Sequence, residues 1–226
     1  MPAPAFKPEK LLQTLPLQIS DQIGTSIIEG RFGPGERLKE TVLANAFDVS
    51  RATIREALRL LEQRGLVQIQ PQRGAQVTQL SAKELKDLFE VRASLLATGS
   101  RLAALQCTPG HVPPLAAHVE RLRATVDDLA AYTKASAQLV DLLMVMSGNE
   151  VLLGYTRDFA LRIGRYVRLG LACADRRRES LATWQRIVDA VAARDADAAE
   201  AEHRRLALTN RDAALREFER LDRRVG

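Results

Sequence analysis

Two stretches with helical periodicity, "ETVLANAF" over Glu40–Phe47 and "RATIREALRLLEQ" over Arg51–Gln63, are separated by only the three residues "DVS". So short a connection makes consecutive helices cross at a steep angle, which is the helix-turn-helix arrangement. In the second stretch Ile54, Ala57, Leu58 and Leu61 recur at i, i+3, i+4 and i+7, one apolar stripe. Ser50 is a good N-cap and leaves Arg51 in the exposed first turn, while Ala52, Arg55, Glu56, Arg59 and Gln63 fall on the opposite side of the wheel. That face is free to meet something outside the fold.

The neighbouring segments fit around this pair. Leu15 to Glu29 carries Ile19, Ile23, Ile27 and Ile28 as its stripe and stops at Gly30, a helix followed by the turn "GRFGPGERL". Val42, Leu43, Ala46 and Phe47 are the expected inward residues of the second helix. After Gly65 the run "LVQIQ" alternates, "PQRG" turns and "AQVTQL" alternates again, which predicts a two-stranded hairpin with Arg73 and Gly74 at its tip. Three helices and a hairpin make a winged helix-turn-helix over residues 1–78.

From Ser81 onward strand signals vanish. Ser81 and Glu84 form a capping box, and the helical pattern predicts an all-α bundle over 79–226, with helices near 82–106, 113–131, 134–146, 150–172, 178–193 and 196–222. Asp195 is the expected N-cap of the last. The fold class is therefore mainly α, a winged helix-turn-helix followed by a helical bundle.

Charge sharpens the first half. The chain carries a formal +5, and residues 50–74 hold five arginines against two acids, so the excess gathers on the helix and hairpin. No apolar run reaches the length of a membrane span, and "MPAPAFKPEKLLQ" lacks the layout of a secretory signal, so a cytoplasmic protein with no membrane partner is expected. Cys107 and Cys173, far apart and without a CxxC partner, are expected to be two buried small side chains. Catalytic patterns are missing too: no HExxH, no glycine-rich phosphate loop, and three histidines, His111, His118 and His203, with no nucleophile spacing around them. An enzyme is not expected.

The run "IIEGRFGPGERLKETVLANAFDVSRATIREALRLLEQRGLVQIQPQRGAQV" resembles the DNA-binding domain of the GntR family of bacterial transcription regulators, through its PG turn, its "VSR...REAL..LE..GLV" core and its RG wing. The remainder, with "LKDLFEVRASL", "GNEVL" and "RDADAAEAE", resembles the FCD-type ligand-binding domain of the FadR-like branch. Family members often carry Thr-Pro where this chain has Ala52-Thr53, and Arg or Glu where it has Thr41.

A helix-turn-helix sets the start of its second helix in the major groove, where arginine pairs bidentately with guanine. Arg51 and Arg55 are the expected base readers. Ser50 and Thr53 suit phosphate or base edges, Lys39 suits phosphate, and Arg73 beside Gly74 suits the minor groove or its phosphates. A homodimer on a short palindrome in double-stranded DNA follows, controlled by a small-molecule effector, with repression and a carboxylate effector implied by the resemblance. A constitutive or architectural dimeric binder without an effector is the alternative.

In the helical domain Arg92, set among Leu88, Phe89, Leu95 and Leu96, is expected to face an effector cavity, because a guanidinium among apolar side chains needs an anion. Its competing partner is Glu90 or another surface acid. Many FCD-type domains resemble one another in an Asp-x3-His pair and two later histidines that hold a divalent metal. In this sequence those positions fall on Ser136, Val140, Trp184 and Leu206, so no metal and no other cofactor is expected, with Trp184 and His203 contributing to effector binding instead.

Overall fold

The computed structural model describes residues 14–225; the proline-rich residues 1–13, where a leader would be sought, lie outside the described residues. The chain divides after Thr78 into two compact units.

The first unit contains α1 (Leu15–Glu29), β1 (Arg37–Leu38), α2 (Glu40–Phe47), α3 (Arg51–Gln63), β2 (Val67–Gln70) and β3 (Gly74–Val77). Its core joins Ile19, Ile23 and Ile27 of α1, Leu43 and Ala44 of α2, and Ile54, Ala57, Leu58 and Leu61 of α3 to Leu66, Val67, Ala75 and Val77. The α3 stripe is fully inward, as its spacing requires. α2 differs from expectation: Val42 is 59% exposed and Ala46 is exposed, because this short helix packs through Leu43 and Ala44. Asp48 in the left-handed region ends α2, and Ser50 Oγ accepts from Thr53 N at 3.1 Å to start α3.

β2 and β3 pair antiparallel with Gln70 opposite Gly74, so the wing loop is Pro71–Gln72–Arg73. Positive φ at Gln72 and Gly74 turns the chain within three residues. The segment expected to be only a turn also yields a strand: Arg37 and Leu38 pair with Gln76 and Ala75, making a three-stranded sheet in the order β1-β3-β2. Two residues are too few for alternation to announce them.

The second unit is helical: α4 (Ala82–Leu105), a 3-10 turn at Pro109–His111, α5 (Val112–Ala124), α6 (Leu129–Met146), α7 (Glu150–Gly170), α8 (Ala174–Ala192) and α9 (Ala196–Val225). Ser81 and Glu84 form the capping box at α4, and Asp195 accepts from Ala198 N at 3.0 Å at the head of α9. α4 and α9 run antiparallel, since Arg101 pairs with Asp197, Ser100 meets His203, and Glu90 pairs with Arg211.

Two boundaries correct the sequence reading. The break between α5 and α6 lies at residues 125–128, where Asp128 accepts from Ala130 N and Ala131 N. α8 starts at Ala174. Both depend on Arg177, whose guanidinium is buried and donates to the carbonyls of Val126, Asp127, Leu171 and Ala172. One side chain thereby ties the α5–α6 loop to the end of α7, a role that "ADRRRES" does not advertise. Cys107 is buried as expected, whereas Cys173, the residue before α8, is exposed.

Candidate nucleic-acid interface and buried polar site

On the first unit α3 presents Arg51 and Arg55 outward, with side chains 62% and 52% exposed. Neither hangs free. Both reach back to Glu40 at the head of α2: Arg55 Nε and Nη2 donate at 3.3 and 3.0 Å, and Arg51 Nη2 at 3.4 Å. The Arg55 guanidinium, with help from Arg51, holds the Glu40 carboxyl below the usual carboxylate range, so it stays ionised beside the two cations. Glu40 is the residue that sequence reasoning missed; its only signal was an acid in the first turn of α2, 11 and 15 positions before the arginines it clasps. The clasp fixes the fork direction of both guanidiniums in advance, which lowers the entropy lost on docking.

Ser50 and Thr53 lie beside them, but their hydroxyls are 2.9 Å apart and Ser50 also caps the helix, so both are partly spent inside the fold. Lys39 is exposed at the N-cap of α2. Arg73 and Gly74 are exposed at the wing tip, where Arg37 donates to the Arg73 carbonyl through Nε at 2.6 Å and also through Nη2. Arg37, likewise unnoticed in the sequence, anchors the tip to β1. Arg64 turns inward to Asp21 and Ser20.

The helical unit holds a second constellation. Trp184 and His203 meet edge to face at 5.1 Å, Trp184 Nε1 donates to Ser136 Oγ at 3.2 Å, and Ser100 Oγ lies 2.5 Å from His203 Nδ1. His203 is fully buried and its Nε2 finds no hydrogen-bond partner among the described residues. Burial, and then the Arg92 charge close by, push its imidazole down to about 3, so it is neutral at pH 7. Arg92 is partly exposed, and desolvation by the protein around it lowers it to about 10, still charged. Glu90, its expected competitor, pairs with Arg211.

Val140, Trp184 and Leu206 are buried and offer no metal-ligating atom, and the Ser136 hydroxyl is already accepting from Trp184. These residues do not fit a divalent metal. Among the described residues no three His, Cys, Asp or Glu side chains are grouped to hold one, and no helix is long and apolar enough to cross a membrane.

Residues 15–77 match the family described as "Bacterial regulatory proteins, gntR family", and residues 87–221 match the "FCD domain". Over 79 residues the chain is 44% identical to the uncharacterized HTH-type transcriptional regulator YdhC of Bacillus subtilis (strain 168), covering 35% of each chain. Over 138 residues it is 33% identical to the Nta operon transcriptional regulator of Aminobacter aminovorans, covering 61% of this chain and 65% of that one. A 110-residue stretch is 29% identical to the HTH-type transcriptional repressor RspR of Escherichia coli (strain K12), covering 49% and 48%. The aligned stretches span between about a third and two thirds of these relatives' own lengths. Among solved structures, E. coli McbR/YncC is similar with a TM-score of 0.81 at 18% identity, over 92% of this chain and all of that one. A putative transcriptional regulator GntR from Rhodococcus sp. RHA1 gives 0.69 at 24% identity, over 90% and 97%. These two likenesses are of fold.

Proposed function

Because the chain belongs to the GntR family of bacterial regulatory proteins and carries an FCD domain, we propose that it is a sequence-specific DNA-binding transcription regulator whose helical domain responds to a small molecule. The observation that carries the first half is the exposed Arg51–Arg55 pair held in place by Glu40 at the start of α3. Bidentate arginines at that point of a recognition helix suit guanine edges, with Ser50, Thr53 and Lys39 on phosphate or neighbouring base edges and Arg73 with Gly74 at the minor groove. The working unit is a homodimer on a short palindrome in the cytoplasm, one half-site per protomer. It acts as a repressor by occupying its operator, a direction supported by the relative named a transcriptional repressor.

The second half rests on Arg92 and His203. A charged guanidinium in partly desolvated surroundings beside an imidazole nitrogen with no partner among the described residues is costly to maintain, and an anionic effector, a carboxylate among them, would relieve both. Trp184 supplies the apolar wall. Such an effector acts by preferring one of two states that differ in DNA affinity.

Enrichment of bound duplexes from a random pool, followed by footprinting, tests the first half: two protected half-sites related by a dyad are expected, and protection without sequence preference overturns it. Thermal unfolding against a metabolite panel tests the second, since a ligand bound only by the folded state raises the melting temperature. If no metabolite does so, the protein is a constitutive dimeric DNA binder.

A further inference from the structure

Arg176, in the first turn of α8, is only 7% exposed, yet its Nε and Nη2 find no hydrogen-bond partner among the described residues. Among the described residues its ion pair runs through Nη1 to Glu179 at 3.6 Å, and that side chain is 67% exposed, so water screens the contact. Arg216 adds a like charge nearby. The neighbouring Arg177 shows the contrast, because its donors are spent on four carbonyls. Beside Arg176 lies Tyr132 of α6, fully buried, close to Ser180, with a hydroxyl that makes no hydrogen bond of ordinary geometry. Burial raises the phenol to about 12, so it remains a donor at pH 7.

The Arg92–His203 constellation, on α4 and α9, meets α6 and α8 one to two turns further along. Ser136, bonded to Trp184, is one turn beyond Tyr132 on α6, and Trp184 is two turns beyond Arg176 on α8, about 12 Å of helix rise. Arg176 with Tyr132, and Arg92 with His203, therefore make two clusters of unspent donors, with the Trp184 indole nearer the second. His203 fits the donor role in the tautomer whose Nδ1 accepts from Ser100, because that neutral ring carries its proton on Nε2.

We propose that the interior of the helical unit binds a small anion with two charged groups, a dianion in that sense, by both ends, one oxyanion group on Arg92 and His203 Nε2, the other on Arg176 and the Tyr132 hydroxyl. This rests on the effector reading above and adds to it the chemical class: two carboxylates, or a carboxylate and a phosphate, joined by a short apolar or lightly substituted spacer that lies along Trp184. Arginine forks suit either group.

The test is calorimetric titration and thermal unfolding of the full chain with glutarate and adipate against butyrate and valerate, and with 3-phosphoglycerate against glycerate. At least one dianion should bind tenfold or more tighter than its monoanionic counterpart. Arg176→Gln and, as the gentler change, Tyr132→Phe should erase that preference while leaving monoanion binding as in the wild type, whereas Arg92→Gln should weaken both classes. Equal affinity for matched monoanions and dianions, or a preference that survives both Arg176→Gln and Tyr132→Phe, overturns the two-ended site. Silence across these six compounds with a hit elsewhere in the metabolite panel overturns the two-ended site and spares the effector reading; silence in both removes the two together.

Discussion

Replacing Arg51 by alanine should separate sequence reading from folding. The Arg51 side chain is 62% exposed and its 3.4 Å contact with Glu40 is long, so removing it costs the fold at most about 1 kcal/mol, the upper end for surface ion pairs. Glu40 keeps its shorter partner Arg55 at 3.0 Å, and the Ser50 cap on Thr53 N is untouched. For a domain pair of this size that limit corresponds to a melting shift below about 4 °C. DNA binding should behave differently. One bidentate contact to guanine carries about 1–3 kcal/mol of discrimination. In a homodimer on a palindrome both half-sites lose it, about 2–6 kcal/mol if the two add, so specific affinity should fall at least about 30-fold. Fluorescence anisotropy at one fixed salt concentration, with the enriched duplex and a scrambled one of equal length, reads both terms. A specific affinity equal to wild type, or an equal loss on the two duplexes, refutes the assignment of Arg51 to a base edge.

Arg73→Ala at the wing tip should weaken binding to both duplexes alike and reduce the slope of log affinity against log salt by about one per protomer; a changed base preference with an unchanged slope would contradict a phosphate-side role. His203, pushed to about 3 in the folded protein, takes up a proton near 6.5 once unfolded, so stability falls as pH drops through 6.5 and continues to fall towards 3. At pH 5 the loss is about 2 kcal/mol, and the stability of His203→Gln should decline less steeply than wild type between pH 7 and 5; parallel curves would show that the imidazole does not resist protonation. In α7, a Cβ at Gly170 would stand 2.5 Å from the Asn210 carbonyl oxygen, whereas one at Gly154 would meet nothing within 4 Å. Gly170→Ala should lower stability by about 1–3 kcal/mol through overpacking, and Gly154→Ala should raise it by up to about 1 kcal/mol through helix propensity; thermal melts giving the reverse order would refute the α7–α9 packing.

What the sequence determined by itself is what local physics writes into a few consecutive residues. The three-residue gap before Arg51, the i, i+3, i+4, i+7 stripe of α3, the Ser81–Glu84 box and the Asp195 cap each need partners no more than about two turns away, and the local pattern of residues announces them. The alternation either side of "PQRG" likewise fixes the wing, because register in so short a hairpin follows from its turn. Tertiary structure decided the remainder. Glu40 clasps arginines 11 and 15 residues away, Arg37 holds a wing tip 36 residues on, and Arg177 holds the α5–α6 loop at Asp127 from 50 residues beyond it. Hydropathy also misleads in both directions, leaving Val42 in solvent and drawing Arg176 and Arg177 inside, because burial depends on which neighbours pack against a position rather than on its own side chain. The candidate ligand groups divide between the two classes. Arg92 stands out among its apolar neighbours and His203 by its place near the last helix's start, whereas Arg176 and Tyr132 are ordinary residues of their helices until packing buries polar atoms that find no partner among the described residues.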